Sequence, residues 1–241
     1  MKNYIGCSGF SNRDWIGEFY PEDLKSGDYL KYYSSVFNSV EINSTFYHKP
    51  TVKTLAKWYA ETPETFRFFI KIPKSITHIA KLKDVKEQVA DFCKYISSEL
   101  KEKLGGFLFQ LPPSYHFTDE NLEGLLDVVN DNYLNVVEFR HASWWNDDVM
   151  TQIGERKIVF SGVSIPKNIP DEVVVNHPDI LYYRLHGTPV LFKSEYPKEF
   201  LDALASQIKK ADRTAYIFFN NTWGLGAVRN AKHFQLVIRN Y

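Results

Sequence analysis

The sequence predicts a single α/β domain over residues 1–241: a (β/α)8 TIM-like barrel in which an irregular segment replaces the regular helix between strands six and seven. Three observations predict it. Short apolar runs alternate with longer segments of helical period, eight such runs can be assigned, and no linker or low-complexity stretch divides the chain. Alternation of this kind implies parallel strands joined by crossover helices. Eight repeats within 241 residues suit a compact barrel better than an open doubly wound sheet.

Tyr4-Ile5-Gly6-Cys7 is the first expected strand. Tyr29, Leu30, Tyr33, Val36 and Phe37 follow at helical spacing, and Ser39 to Asn43 is strand two. Pro50 is expected to open a helix with Val52, Leu55, Ala56 and Tyr59 on one face, proline being favoured in a first turn. Phe66 to Lys71 is strand three. The strongest helical pattern runs through Val85, Val89, Phe92, Cys93, Ile96 and Leu100, and Gly105-Gly106 is expected to stop it. Phe107 to Leu111 reads as a buried strand four. Thr118, Asp119 and Glu120 mark the start of a helix carrying Leu122, Leu125, Leu126 and Val129.

Strand five is Asn135 to Arg140, a short helix is expected from Asn146 to Gly154, and strand six is Lys157 to Ser161. Pro166, Pro170 and Pro178 then exclude a regular long helix. Leu181 to His186 is strand seven, followed by a helix bearing Phe200, Leu201, Leu204 and Ile208. Ala215 to Asn220 is strand eight, and Ala227, Asn230, Ala231, Phe234, Val237 and Ile238 lie on a closing helix.

The chain carries 29 Lys+Arg and 29 Asp+Glu, so no net field steers it toward nucleic acid or membrane. No run approaches the ~20 apolar residues of a membrane-spanning helix, and Met1 to Gly6 lacks the apolar stretch of a secretion signal. Cys7 and Cys93 form no paired motif and are expected to be free thiols, which suits a cytoplasmic location.

In a parallel barrel, function gathers at the C-terminal ends of the strands. Those ends here carry polar residues two apart: Glu41 and Asn43, Glu138 and Arg140, Arg184 and His186. A strand's period of two puts each pair on one face, with Ile42, Phe139 and Leu185 on the other. Lys71 and Gln110 end strands three and four, and Asn220 and Asn221 end strand eight. Glu41, Lys71, Glu138, Arg140, Arg184 and His186 are therefore expected to line one cavity. The bland alternative is that Glu138–Arg140 and Glu41–Arg184 are ion pairs that merely cap the barrel.

Two further features point to the same mouth. The turn Asn221-Thr222-Trp223-Gly224-Leu225-Gly226 could cradle an anion on its backbone N–H groups, or be a plain tight turn. Phe10, Trp15, Phe46, Tyr47, Trp144 and Trp145 follow strand ends, and suggest either loop packing or a platform for a sugar ring or base.

Several runs resemble motifs of the domain-of-unknown-function 72 family (YecE-like). They are Gly6-Cys7-Ser8-Gly9-Phe10, Phe37 to Tyr47, Phe69-Ile70-Lys71-Ile72-Pro73, Phe109-Gln110-Leu111-Pro112-Pro113, Val137 to His141, Arg184-Leu185-His186-Gly187 and Phe219-Asn220-Asn221. The match keeps its order over the whole chain. The resemblance implies a TIM-like barrel and no established activity. Many relatives carry an aspartate near the end of strand six, where this chain has Ser161-Gly162-Val163-Ser164; a mechanism needing that acid is in doubt.

Three functions follow as expectations. The first is an enzyme acting on a phosphorylated sugar, nucleotide or other anionic carbohydrate. Glu41 or Glu138 would be acid or base, His186 a proton shuttle, and Lys71, Arg140, Arg184 and His186 the anion-binding groups. Asn43, Tyr47, Gln110, Arg140, Trp144, Arg184, Asn220, Asn221, Gly224 and Gly226 are the expected substrate contacts. A Lys71 Schiff base is a further option. No cofactor is expected and no clear metal-ligand cluster is present, although His48, His141 and His186 could be assembled into one with Glu41 and Glu138. The second is a nucleic-acid-binding or processing barrel. The third is a non-catalytic ligand-binding module.

Overall fold

The computed structural model describes residues 2–240, so Met1 and Tyr241 of the predicted domain lie outside the described residues. All strand pairings are parallel, in two sheets. One contains β1 (Asn3–Cys7), β9 (Thr214–Phe219), β8 (Ile180–Leu185) and β7 (Gly162–Ser164), in that order. The other runs β2 (Ser39–Ile42), β3 (Arg67–Lys71), β4 (Leu104–Gln110), β5 (Asn135–Glu138), β6 (Ile158–Phe160). The predicted sixth strand is β6, and after Ser161 the chain continues into a strand the sequence reading did not assign: β6 pairs with β5, and β7 pairs with β8. One stretch of chain thus serves both sheets.

At the other seam, β1 and β2 approach too closely for a side chain. A Cβ on Gly6 would stand 1.9 Å from the Ser39 carbonyl oxygen, so only glycine fits there. Side chains supply the bonding. The Tyr33 hydroxyl accepts from Cys7 N–H at 2.6 Å and donates to the Ser39 carbonyl at 3.1 Å. Asn38 accepts from Ile5 N–H and donates to the Asn3 carbonyl, both at 2.8 Å. A single parallel bridge joins Ser8 to Glu41.

The helices are α1 (Tyr29–Val36), α2 (Val52–Glu61), α3 (Lys86–Leu100), α4 (Asp119–Val128), α5 (Asp147–Glu155), α6 (Lys198–Ala211) and α7 (Gly226–Asn240). Thr51, Thr118 and Asn146 cap α2, α4 and α5 with side-chain oxygens, satisfying N–H groups that have no partner in the helix. Residues 165–179 contain neither helix nor strand.

Two local expectations are corrected. Pro50 precedes the cap of α2, whose buried residues are Leu55 and Trp58, with Val52 exposed. Gly105 and Gly106 do not stop α3; the chain turns at Lys101, and both glycines lie within β4. A Cβ on Gly105 would sit 2.6 Å from the Phe69 ring, which packs over this strand as the β3–β4 register skips a residue.

The apolar interior has two parts, set by strand parity. Ile42, Ile70, Phe109, Phe139, Leu185 and Phe219 belong to the large cluster that includes the buried helix faces. The alternate residues Tyr4, Phe69, Leu108, Val136, Val159, Tyr182, Tyr216 and Phe218 form a second cluster. Within it Phe69 of one sheet meets Tyr182, Tyr216 and Phe218 of the other, at ring-centroid distances of 4.9, 4.6 and 5.6 Å. The two sheets face each other across this layer.

Candidate functional site

Two residues further along each strand, the same phase turns polar. Tyr182 is followed by Arg184 and His186, Val136 by Glu138 and Arg140, Phe69 by Lys71, Leu108 by Gln110 and Phe218 by Asn220. Each step of two residues rises about 6.6 Å, so the charges form a tier directly above the inner apolar cluster. Glu41, Glu138, Arg184 and His186 all have 0% exposure. They meet as the spacing predicts, but in contact with one another and not around open space.

Glu41 is saturated. Its Oε1 accepts from Ser8 Oγ at 2.7 Å and Arg184 Nη2 at 2.5 Å, and its Oε2 from the Tyr182 hydroxyl and Arg184 Nε, both at 2.8 Å. Burial pushes this carboxyl up, but the Arg184 guanidinium outweighs it and holds the pKa below its ordinary value. Arg184 carries the attraction onward, donating Nη1 to Glu138 Oε2.

Glu138 also receives Arg140 Nε on Oε1 and lies 3.1 Å from His186 Nε2 through Oε2. Its burial too is overcome by the two guanidinium charges, and the carboxyl is held well below its usual range. The other ring nitrogen of His186, Nδ1, is 2.8 Å from Asn220 Nδ2. Nε2 stands between an acceptor and donors, 3.1 Å from Glu138 Oε2, 3.1 Å from Arg140 Nη2 and 3.5 Å from Arg184 Nη1. Burial, with Arg140 beside it, drives the His186 pKa down to about 3. At neutral pH the imidazole is uncharged.

Above this tier stand Lys71 and Arg140. Arg140's side chain is 9% exposed and Lys71 is partly exposed. Lys71 Nζ donates to Gln110 Oε1 at 2.9 Å and lies 4.2 Å from the Phe46 ring centroid. Gln110 is fixed in turn by donating Nε2 to the Leu111 carbonyl at 2.8 Å. Burial, then the charge of Arg184, lowers the Lys71 pKa from 10.5 to about 7. The His78 ring packs edge-on to Phe46, its pKa lowered to about 4 by burial and the Lys71 charge. Asn43, in phase with Glu41, has a buried Oδ1 without a partner.

Other expected contacts lie elsewhere. Trp144 has 0% exposure, stacks on Phe139 at 3.9 Å and donates Nε1 to the Tyr115 carbonyl at 2.7 Å. Phe139 has the opposite parity to Glu138 and Arg140, so Trp144 belongs to the outer layer. Trp15 is likewise buried, against Phe19 and Tyr20, and Phe10 packs on Tyr33 and Trp58. Tyr47 is 70% exposed and leans on Phe46. Asn221 is buried and donates to the Ser194 carbonyl and Asn230 Oδ1, holding the chain against α7.

In the glycine turn, the Gly224 and Thr222 carbonyls accept from Trp15 Nε1 and Asn12 Nδ2, tying it to the loop after β1; Gly226 opens α7. His48 is exposed, and His141 pairs with His116 at 3.0 Å. Among the described residues, no group of three or more His, Cys, Asp and Glu side chains is arranged to hold a metal.

Sequence reasoning missed Ser8 and Tyr182, the two hydroxyls on Glu41. Parity could have found them. Ser8 is two residues beyond Gly6, and Tyr182 two before Arg184. Asp171, which accepts from Ser164 Oγ at 2.6 Å and from the Tyr183 hydroxyl, lies with outward-facing Tyr183 and does not stand in for the strand-six acid.

A family model described as a protein of unknown function, DUF72, matches residues 4–240. The chain belongs to the DUF72 family. A solved DUF72 family protein from Thermotoga maritima is 32% identical, with a TM-score of 0.88 covering 99% of this chain and 100% of that one. A DUF72 family protein from Enterococcus faecalis, 21% identical, shares the fold at a TM-score of 0.83 over 98% of this chain and 95% of that one. The UPF0759 protein YunF of Bacillus subtilis is 33% identical over 153 residues, 59% of this chain and 52% of YunF. The UPF0759 protein YecE of Escherichia coli is 30% identical over 164 residues, 67% of this chain and 57% of YecE. The chain thus spans little more than half the length of these curated UPF0759 relatives.

Proposed function

We propose that this DUF72 chain binds a small anionic ligand at the strand ends, of the class of phosphorylated sugars, nucleotides and related anionic carbohydrates. The reading takes the two sheets as halves of one (β/α)8 barrel, joined through Ser161 and the Ser8–Glu41 bridge. One observation carries it. The two buried carboxylates are neutralised by Arg184 and Arg140, while Lys71 above them has no carboxylate within ion-pair distance among the described residues. A partly exposed cation without a counter-ion over a balanced network favours an incoming anion.

This reading reassigns the expected roles. Glu41 and Glu138, saturated with donors, hold Arg184 and Arg140 in place and are poor acid–base groups. Neutral His186 orients Glu138, and its low pKa makes it a poor proton shuttle near pH 7. Lys71 and Arg140 touch the ligand, with Gln110, Asn43 and Asn220 as its polar neighbours. A cytoplasmic location fits the two free, buried cysteines.

A thermal-shift screen against inorganic phosphate, phosphorylated sugars, nucleotides, a single-stranded oligonucleotide and divalent metals tests the proposal. The expected result is stabilisation by the small phosphorylated compounds. A flat response to all of them contradicts it, and a larger shift with the oligonucleotide than with its mononucleotides would favour the nucleic-acid reading instead.

A further inference from the structure

Lysine amines normally sit protonated in solvent or are held as ammonium ions by several acceptors. Lys103 is of the second kind: 5% exposed, its Nζ donates to the Tyr59 and Thr62 carbonyls at 2.6 and 2.5 Å and lies 3.4 Å from Thr62 Oγ1. Lys71 is built differently. Among the described residues its hydrogen-bond acceptor is the neutral Gln110 oxygen, the Phe46 ring centroid lies 4.2 Å away, and burial, then the Arg184 charge, disfavours the ammonium against the opposing pull of Glu138 and Glu41. With its pKa lowered to about 7, the amine exchanges between ammonium and free base near neutral pH, one N–H anchored on Gln110.

We infer that Lys71 forms a Schiff base with the carbonyl of a small anionic aldehyde, ketone or 2-oxo acid, whose negative group is held by Arg140. The inference rests on the anion-site reading and names its substrate class. Nζ attacks the carbonyl carbon to give a carbinolamine. The C–O bond then breaks, and the oxygen leaves as water with one proton from the amine and one from solvent. The product is an N-protonated iminium. Its new positive charge lies above Glu138, which contributes a favourable field at Lys71. A lowered amine pKa is what this chemistry requires near neutral pH, and burial supplies it at Lys71.

The test uses glyoxylate with cyanoborohydride at pH 7, followed by peptide mapping of the intact chain. Lys71→Met and Lys71→Arg variants, checked to melt no lower than the wild type, run beside it, and phosphate binding is measured calorimetrically on the same samples. The expected result is reductive labelling concentrated on the Lys71 peptide, roughly tenfold or more above any surface lysine. Labelling should be lost in both variants, and in the wild type it should be slowed by phosphate. Labelling spread evenly over surface lysines while phosphate still binds overturns the Schiff base and leaves the anion site standing. Failure of both phosphate binding and Lys71 labelling overturns the two together.

Discussion

Arg184 of β8 and Glu41 of β2 are locked by two parallel bonds, Nε to Oε2 at 2.8 Å and Nη2 to Oε1 at 2.5 Å, across the facing sheets. Both side chains are buried, so each charge depends on the other for what water no longer gives. Removing both should cost less than the two separate losses added together. Glu41→Leu is expected to lose about 3–5 kcal/mol, leaving a buried guanidinium short of a counter-charge. The double change Glu41→Leu with Arg184→Met should cost clearly less than the two single changes summed. Urea unfolding of the four proteins gives the answer.

The hydroxyls on Glu41 should each matter on a smaller scale. Tyr182→Phe and Ser8→Ala each delete one donor to a buried carboxylate, and each should cost roughly 1.5–3 kcal/mol. Chemical denaturation is the check. A cost near zero for both would mean that Glu41 is satisfied by Arg184 alone.

Acid should weaken the fold before the ordinary carboxylate range is reached. His186 has a folded pKa of about 3 against an ordinary 6.5, so the unfolded chain takes up a proton that the folded one refuses. Stability therefore falls as pH drops below 6.5 and goes on falling to about 3. Glu41 and Glu138, with lowered values, add stability that is present above 4.5 and lost as pH falls through their folded pKa. His186→Asn should flatten the stability profile between pH 6.5 and 5, where the carboxylates contribute little. His78, also lowered, leaves a residual slope in that variant.

Lys71 produces the opposite signature on the alkaline side. Between its folded value of about 7 and the ordinary 10.5 the unfolded chain binds the extra proton, so stability attributable to this residue rises with pH. The melting temperature of the wild-type chain should gain on that of Lys71→Met between pH 7 and 9. Parallel curves would place the Lys71 amine among ordinary solvent-exposed lysines.

Trp144 should behave as a core residue and nothing more. Trp144→Phe gives up the bond to the Tyr115 carbonyl and part of the stack on Phe139, and is expected to lower stability while leaving phosphate binding unchanged. Altered binding with unaltered stability would return it to the ligand site.

What could be read from the sequence, and what could not, divides along strand parity. The pairs Glu41/Asn43, Glu138/Arg140 and Arg184/His186 were legible because a period of two is fixed by the backbone, and the residues between them do face the helices. Whether those charges would line a space or fill it was not legible, since that depends on which chains meet across the sheets. Arg184 spans Glu41 and Glu138 from three different strands. The aromatics misled because a tryptophan after a strand end can fold to either side of the rim, and Trp144 and Trp15 took the outer one. The seam between β1 and β2, bonded through Tyr33 and Asn38, left no pattern that a single sequence announces.

The most direct measurement is calorimetric titration of inorganic phosphate into the wild-type and Lys71→Met chains at pH 6, where the wild-type amine is mostly protonated. Saturable binding to the wild type, weakened by about tenfold in a variant that melts no lower than the wild type, is the result predicted. No binding to the wild type, or equal affinity in both chains, would contradict a cationic ligand site above the buried network.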